Sequence, residues 1–169
     1  MRHLIPLFTA LSLILVSAGI TAAGDGRIST ELLAVRAAVA RYHSVDQAIA
    51  AGYFAGSGCE QSPAGAMGVH YVKPALFAPG LNAATPEVLL YMPNAAGDLK
   101  LVGVEYWQAD ADQDLATASD RPSIFGQPFN GPMLGHNPQM PIHYDLHVWV
   151  AEANPSGVFA QWNPAISCP

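Results

Sequence analysis

The chain has 169 residues, 51% of them hydrophobic and only 12% charged, with a net charge of −6. That length holds one domain or two very small ones, and the apolar content excludes intrinsic disorder. The acidic balance, with no Lys or Arg in residues 122–169, excludes a phosphate-binding face and so a nucleic-acid partner.

Arg2 and His3 precede an almost wholly apolar run over residues 4–20, and small residues, Thr21, Ala22 and Ala23, follow it. This order predicts a secretory signal peptide over 1–23, cleaved after Ala23. The mature chain, 24–169, is then a single globular domain, periplasmic or secreted. No later run is long and apolar enough to span a bilayer, which predicts no stable membrane insertion after cleavage. The only two cysteines, Cys59 and Cys168, fit an oxidising compartment and predict one disulfide. It would tie the C-terminal tail to the end of the helical region.

Residues 29–51 read as helix. Ser29 or Thr30 can cap its start, and Leu32, Val35, Val39 and Tyr42 follow at helical spacing. Ser44 and Gln47 have capping-box spacing, so a second short helix starts there and ends at Gly52. The Gly-, Ser- and Pro-rich stretch 55–66 reads as loop. Strands follow over 67–72, 88–92, 99–107, 143–151 and 158–162, separated by turn-forming residues such as Asn94-Ala-Ala-Gly-Asp98 and Asn154-Pro-Ser-Gly157. Helices first and strands after predict an α+β fold, with N-terminal helices on one face of a mostly antiparallel sheet of about five strands. Residues 121–141 hold five prolines and three glycines, which suits neither helix nor central strand. The segment is a binding loop or an ordinary surface loop.

Side chains alternate across a strand, so parity sorts residues by sheet face. One face receives Met67, Val69 and Tyr71; Val102, Val104 and Tyr106; and Tyr144, Leu146, Val148 and Val150. The other receives Gly68, His70 and Val72; Leu101, Gly103, Glu105 and Trp107; and His143, Asp145, His147 and Trp149. A half-solvated sheet also alternates. Here, however, the polar face carries histidines and large aromatics rather than Lys and Glu, which suits a partly covered face. Imidazole and carboxylate from three strands suit a mononuclear zinc or copper centre. Its expected ligands are His70, Glu105 and His147, with His143 a weaker fourth. Asp145 is placed to hold an imidazole from behind, and Trp107 and Trp149 to wall a pocket. Each of Met133 and Met140 reads first as a gap-filling apolar side chain; with His136 they also offer thioether and imidazole character that favours copper. His43 reads as a helix-end histidine.

Other signals fail on spacing. Asp110, Asp112 and Asp114 begin like a calcium loop, but Leu115 and Arg121 stand where Gly and Glu are required. His143-Tyr-Asp-Leu-His147 is not the His-Glu-x-x-His of zinc proteases. No phosphate-binding loop, dinucleotide fingerprint or nucleophile elbow is present.

The words Gly65-Ala-Met-Gly-Val-His-Tyr71, Leu101-Val-Gly-Val-Glu-Tyr106 and His143-Tyr-Asp-Leu-His-Val-Trp149 occur in one order with Asn154-Pro-Ser-Gly-Val-Phe159 and the terminal Cys168. In them the chain resembles a family of small exported bacterial proteins of no assigned activity. The resemblance implies export and a single domain, and supplies no ligand or reaction. Besides the metal centre, two readings stay open. One is a metal-free module binding a small molecule with Tyr106, Trp107 and Trp149. The other is an envelope stress or interaction protein.

Overall fold

The computed structural model describes residues 22–77 and 80–169, with side chains from Thr30 onward. The expected leader lies outside these residues except for Ala22 and Ala23, which open helix α1 (Ala22–Val39). Ser29 and Thr30 therefore stand within α1 and do not cap it, because the backbone is already helical before them. A turn of 3-10 helix (Ala40–His43) leads to α2 (Val45–Ala50). The Ser44 side chain makes no capping bond, so the expected capping box is not formed. The carbonyl of Ser44 instead accepts from the N–H groups of Gln47 and Ala48. Gly52, at φ 94°, ends the helical layer in a conformation that a Cβ would strain.

The strands are β1 (Phe54–Ser62), β2 (Gly65–Val72), β3 (Val88–Pro93), β4 (Leu99–Ala109), β5 (Ser123–Ile124), β6 (Gln127–Pro128), β7 (Asn130–Met133) and β8 (His143–Val148). Six of them form one sheet in the order β1-β2-β3-β4-β8-β7, and β5 and β6 form a separate two-stranded ribbon. Every pairing in the sheet is antiparallel. The fold is α+β, as expected; the six-stranded sheet holds four of the five strands read from the sequence and two more.

The extra strands are both at edges. β1 occupies the stretch read as loop; its register shifts twice against β2, between Ala55 and Cys59 and between Glu60 and Gln61. β7 emerges from the Pro-rich segment at the other edge, where a proline costs no ladder bond. At the chain's end the correction runs the other way: β8 stops at Val148, and 158–162 is turn. The N–H of Trp149 reaches the carbonyl of Val158, but Ala160 then bonds back to Gly157 and no ladder grows.

The helices cover one face of the sheet. Val35, Val39, Tyr42, Ala48 and Tyr53 pack there against Leu89, Tyr91, Val104, Tyr106, Tyr144, Leu146 and Val148. Two phenols latch the layers together: Tyr91 donates to the carbonyl of Tyr42 at 2.6 Å, and Tyr53 to that of Pro86 at 2.7 Å. Phe125 and Phe129 fold the Pro-rich segment into the same core. A bulge corrects the expected parity in β4. Leu90 pairs with Gly103 but Tyr91 with Leu101, so Val102 is the extra residue. Leu101 turns to the helix face, and Val102 joins Val88, Leu90, Met92 and Trp149 on the other. From Gly103 onward the parity holds. Gly68 and Gly103 do leave room for a close approach, and what approaches is backbone: a Cβ on Gly68 would lie 2.5 Å from the Tyr91 carbonyl oxygen, and one on Gly103 2.8 Å from that of Val148.

Cys59 and Cys168 form the expected disulfide, with Cα atoms 5.9 Å apart and a sequence separation of 109. It fastens the tail to edge strand β1, not to the end of the helices, because 55–66 is strand rather than loop. Gln61 Oε1 accepts from the Cys168 N–H at 2.7 Å, and Asn163 bridges to Ala66 at the start of β2. Among the described residues no helix is long and apolar enough to cross a membrane.

Candidate metal centre

The face opposite the helices carries three ionisable side chains from three strands. Register places Glu105 of β4 directly opposite His147 of β8. His70 of β2 pairs with Leu90, and Glu105 with Val88, so His70 and Glu105 reach toward each other across β3. His70 Nε2 lies 3.4 Å from Glu105 Oε2, and His147 Nε2 lies 3.8 Å from the same oxygen. One ligand atom from each of the three residues falls within 4.8 Å of the others. Ligands about 2.0–2.2 Å from one ion stand at such separations after a small inward movement.

Burial governs the charge state of this cluster. The side chains of His70, Glu105 and His147 are 13%, 6% and 1% exposed. Desolvation, and then the neighbouring His136, holds His70 down at about 4. Desolvation also lowers His147 well below the usual imidazole range, with His70 and His136 adding to it. Glu105 is pushed well above the carboxylate range by burial first, then by Asp145 and Glu87. No cation among the described residues pairs with Glu105, and its Oε2 and both ring nitrogens of His147 are buried without a hydrogen-bond partner. Native interiors rarely leave such groups unmatched. A divalent cation would satisfy all three residues and would reverse the desolvation that keeps Glu105 protonated.

A group behind the cluster sets where one lone pair lies. Ser57 Oγ donates to the carbonyl of Gly58 at 2.7 Å and accepts from the backbone N–H of His70 at 3.2 Å. Its remaining contact, 3.1 Å to His70 Nδ1, is then donated by the ring. Nδ1 carries the proton, and the Nε2 lone pair faces Glu105. Asp145, expected in a supporting role, has Oδ1 3.8 Å from Nδ1 of His147, beyond hydrogen-bonding distance. Burial raises Asp145 to about 6.

A cavity of about 550 Å³ opens over His70 and Glu105. Strands β1 to β4 supply Phe54, Ser57, Val72 and Trp107 to its walls, and the segment after β7 supplies His136, Asn137, Met140 and Pro141. The Pro/Gly-rich stretch thus covers the polar face. Gly135 permits that course, since a Cβ there would strike the backbone of Met140.

Two expected members stand elsewhere. His143 is not in the trio: its Nδ1 donates to the carbonyl of Pro141 at 3.1 Å and its ring stacks on Trp107. Four residues along an extended strand separate it from His147, too far for one ion. Trp149 lies outside the cavity. Its indole N–H donates to the carbonyl of Ala160 at 2.6 Å, and the ring packs with Val102 under the C-terminal tail. Ser57 and Phe77 were missed. Ser57 sits in the irregular part of β1, where composition carries no strand signal.

Compared with protein-family models, curated proteins and solved structures, the chain matches none.

Proposed function

We propose that the protein is an exported metal-binding protein whose His70, Glu105 and His147 hold a single zinc ion, with one coordination position open to the cavity. The observation that carries this reading is that ligand atoms of His70, Glu105 and His147, from three strands of one sheet, lie within 4.8 Å of one another, with those of Glu105 and His147 buried and unpartnered. Two imidazoles and one carboxylate, with no sulfur among them, match the donors of open zinc sites. A bound zinc ion polarises a ligand oxygen or lowers the pKa of a bound water. The chain's own part is to hold the His70 lone pair in place through Ser57, and to keep bulk water away with the 136–141 segment.

Copper is the second reading, supported by Met140 in the cavity wall. Export is supported by the Arg2-led apolar leader and by the disulfide, which belongs to oxidising compartments. Elemental analysis of untagged protein, purified from the periplasm without chelator, tests the reading. Near-stoichiometric zinc or copper is expected, with loss in His70→Ala and in His147→Ala. Protein that takes up neither metal after exposure to both, while folded by circular dichroism, would refute it and favour the metal-free binding module.

A further inference from the structure

The walls of the cavity bear on what it admits. Phe77 and Trp107 stand with ring centroids 4.5 Å apart and planes inclined by 34°. Phe54, Val72, Val88 and Met140 complete the apolar lining. No Lys or Arg is among the described lining residues, and the acidic ones are Glu60 and Glu105. The indole N–H of Trp107 is buried and has no hydrogen-bond partner among the described residues.

We propose that this cavity binds an aromatic molecule bearing a neutral or anionic oxygen, such as a phenol, an aromatic alcohol or an aromatic carboxylate. Its ring lies against Phe77 and Trp107, and its oxygen points to the His70–Glu105 floor. The volume suits a small organic ligand. Aromatic walls favour a ring over an aliphatic group of equal size through face and edge contacts. An anionic oxygen is attracted when the ion sits at Glu105; without the ion it would enter beside two carboxylates with no basic residue to pair with it. Exclusion of a cation rests on the metal reading: with an ion at Glu105 an ammonium group is repelled, whereas without one the carboxylates and the Trp107 face attract it.

The test is calorimetric titration of the full, metal-loaded protein with benzyl alcohol, cyclohexylmethanol, benzylamine and benzoate, with metal content measured on each sample. Benzyl alcohol and benzoate should both bind saturably, and benzyl alcohol about three- to tenfold more tightly than cyclohexylmethanol and benzylamine. Phe77→Leu keeps apolar bulk and should weaken benzyl alcohol by a similar factor, leaving cyclohexylmethanol and metal content unchanged. With metal in place, absence of saturable binding, equal binding of cyclohexylmethanol, preference for benzylamine or indifference to Phe77→Leu would overturn the proposal and leave the metal reading intact. Protein that takes up no metal and prefers benzylamine would overturn both, and the elemental analysis tells these cases apart.

Discussion

Ser57 Oγ stands 3.1 Å from Nδ1 of His70 while giving its own proton to the carbonyl of Gly58. This one hydroxyl fixes the ring's tautomer and its rotation, and leaves the lone pair on the side of Glu105. Partners of this kind typically change metal affinity by about 10- to 100-fold. Ser57→Ala should therefore weaken zinc binding by that factor without unfolding the sheet, since the side chain is only partly buried. Ser57→Thr, which keeps the hydroxyl, should restore most of it. Competition against a chromophoric chelator measures both. Unchanged affinity in Ser57→Ala would show that the hydroxyl does not orient the histidine.

The site was legible because strand parity is insensitive to most errors of strand length. His70, Glu105, Trp107, Asp145 and His147 share a face whichever residue ends each strand. The bulge at Val102 lies before Glu105, so it misplaced Leu101 and Val102 and spared the ligands. Parity gives a face and not a position along it, which is why His143 and Trp149 were grouped with residues they do not reach. β1 was hidden for another reason. Gly56, Ser57 and Gly58 have little strand propensity, and the strand exists because the backbone of β2 offers it partners and the disulfide holds it there. The 158–162 segment misled in the opposite sense: Val158 and Phe159 are apolar because they pack at the margin of the core, and they do so from a turn.

Glu105 costs the metal-free protein stability. Its side chain is buried, it faces Asp145 and Glu87, and no cation among the described residues offsets it. A carboxyl whose folded pKa is raised loses stability as pH climbs above the unfolded value. At pH 7 Glu105→Gln should therefore make the metal-free protein more stable by about 1–3 kcal/mol, the usual scale for a buried unsatisfied polar group. The same substitution should abolish zinc binding and its stabilisation, which for the wild type grows with the ratio of free zinc to Kd. Urea unfolding with and without chelator separates the two effects. A variant less stable than the metal-free wild type would mean that Glu105 has a compensating partner in the native state.

Glu87 offers a pH test at a residue that is not itself a ligand. It is buried at the head of β3, its Oε2 accepts the N–H of Trp107 at 3.3 Å, and burial pushes its carboxyl up to about 7. Between about 4.5 and 7 the folded state keeps a proton that the unfolded chain has released. The stability associated with that proton is fully present below 4.5, is lost as pH rises to 7, and changes no further above. His70, held near 4, pulls in the opposite direction over this window, but it is common to wild type and variant and cancels in their difference. Glu87→Gln should match the wild type near pH 4.5 and outlast it in urea by a margin that widens to pH 7 and then stays flat. A margin independent of pH would show that Glu87 titrates normally.

The disulfide links the tail to the site through β1. Cys59 lies two residues from Ser57 on this edge strand, and Cys168 is its covalent anchor. Closing so long a loop contributes about 2–5 kcal/mol in the chain-entropy view, so Cys168→Ser should lower the urea midpoint accordingly. Its effect on the metal is more discriminating. With the anchor gone, β1 is held by β2 alone, across a register shift that spans Ser57. The hydroxyl then has more freedom to leave His70, and zinc affinity should fall, though less than in Ser57→Ala. In the double variant Ser57→Ala, Cys168→Ser, the hydroxyl is already missing, so cutting the anchor should cost no further affinity while the stability losses still add. Residues acting through a shared partner are non-additive in this way. Additive losses of affinity would mean that the disulfide supports the trio by a route other than Ser57, the cavity wall at Phe54 being the nearest alternative on the same strand.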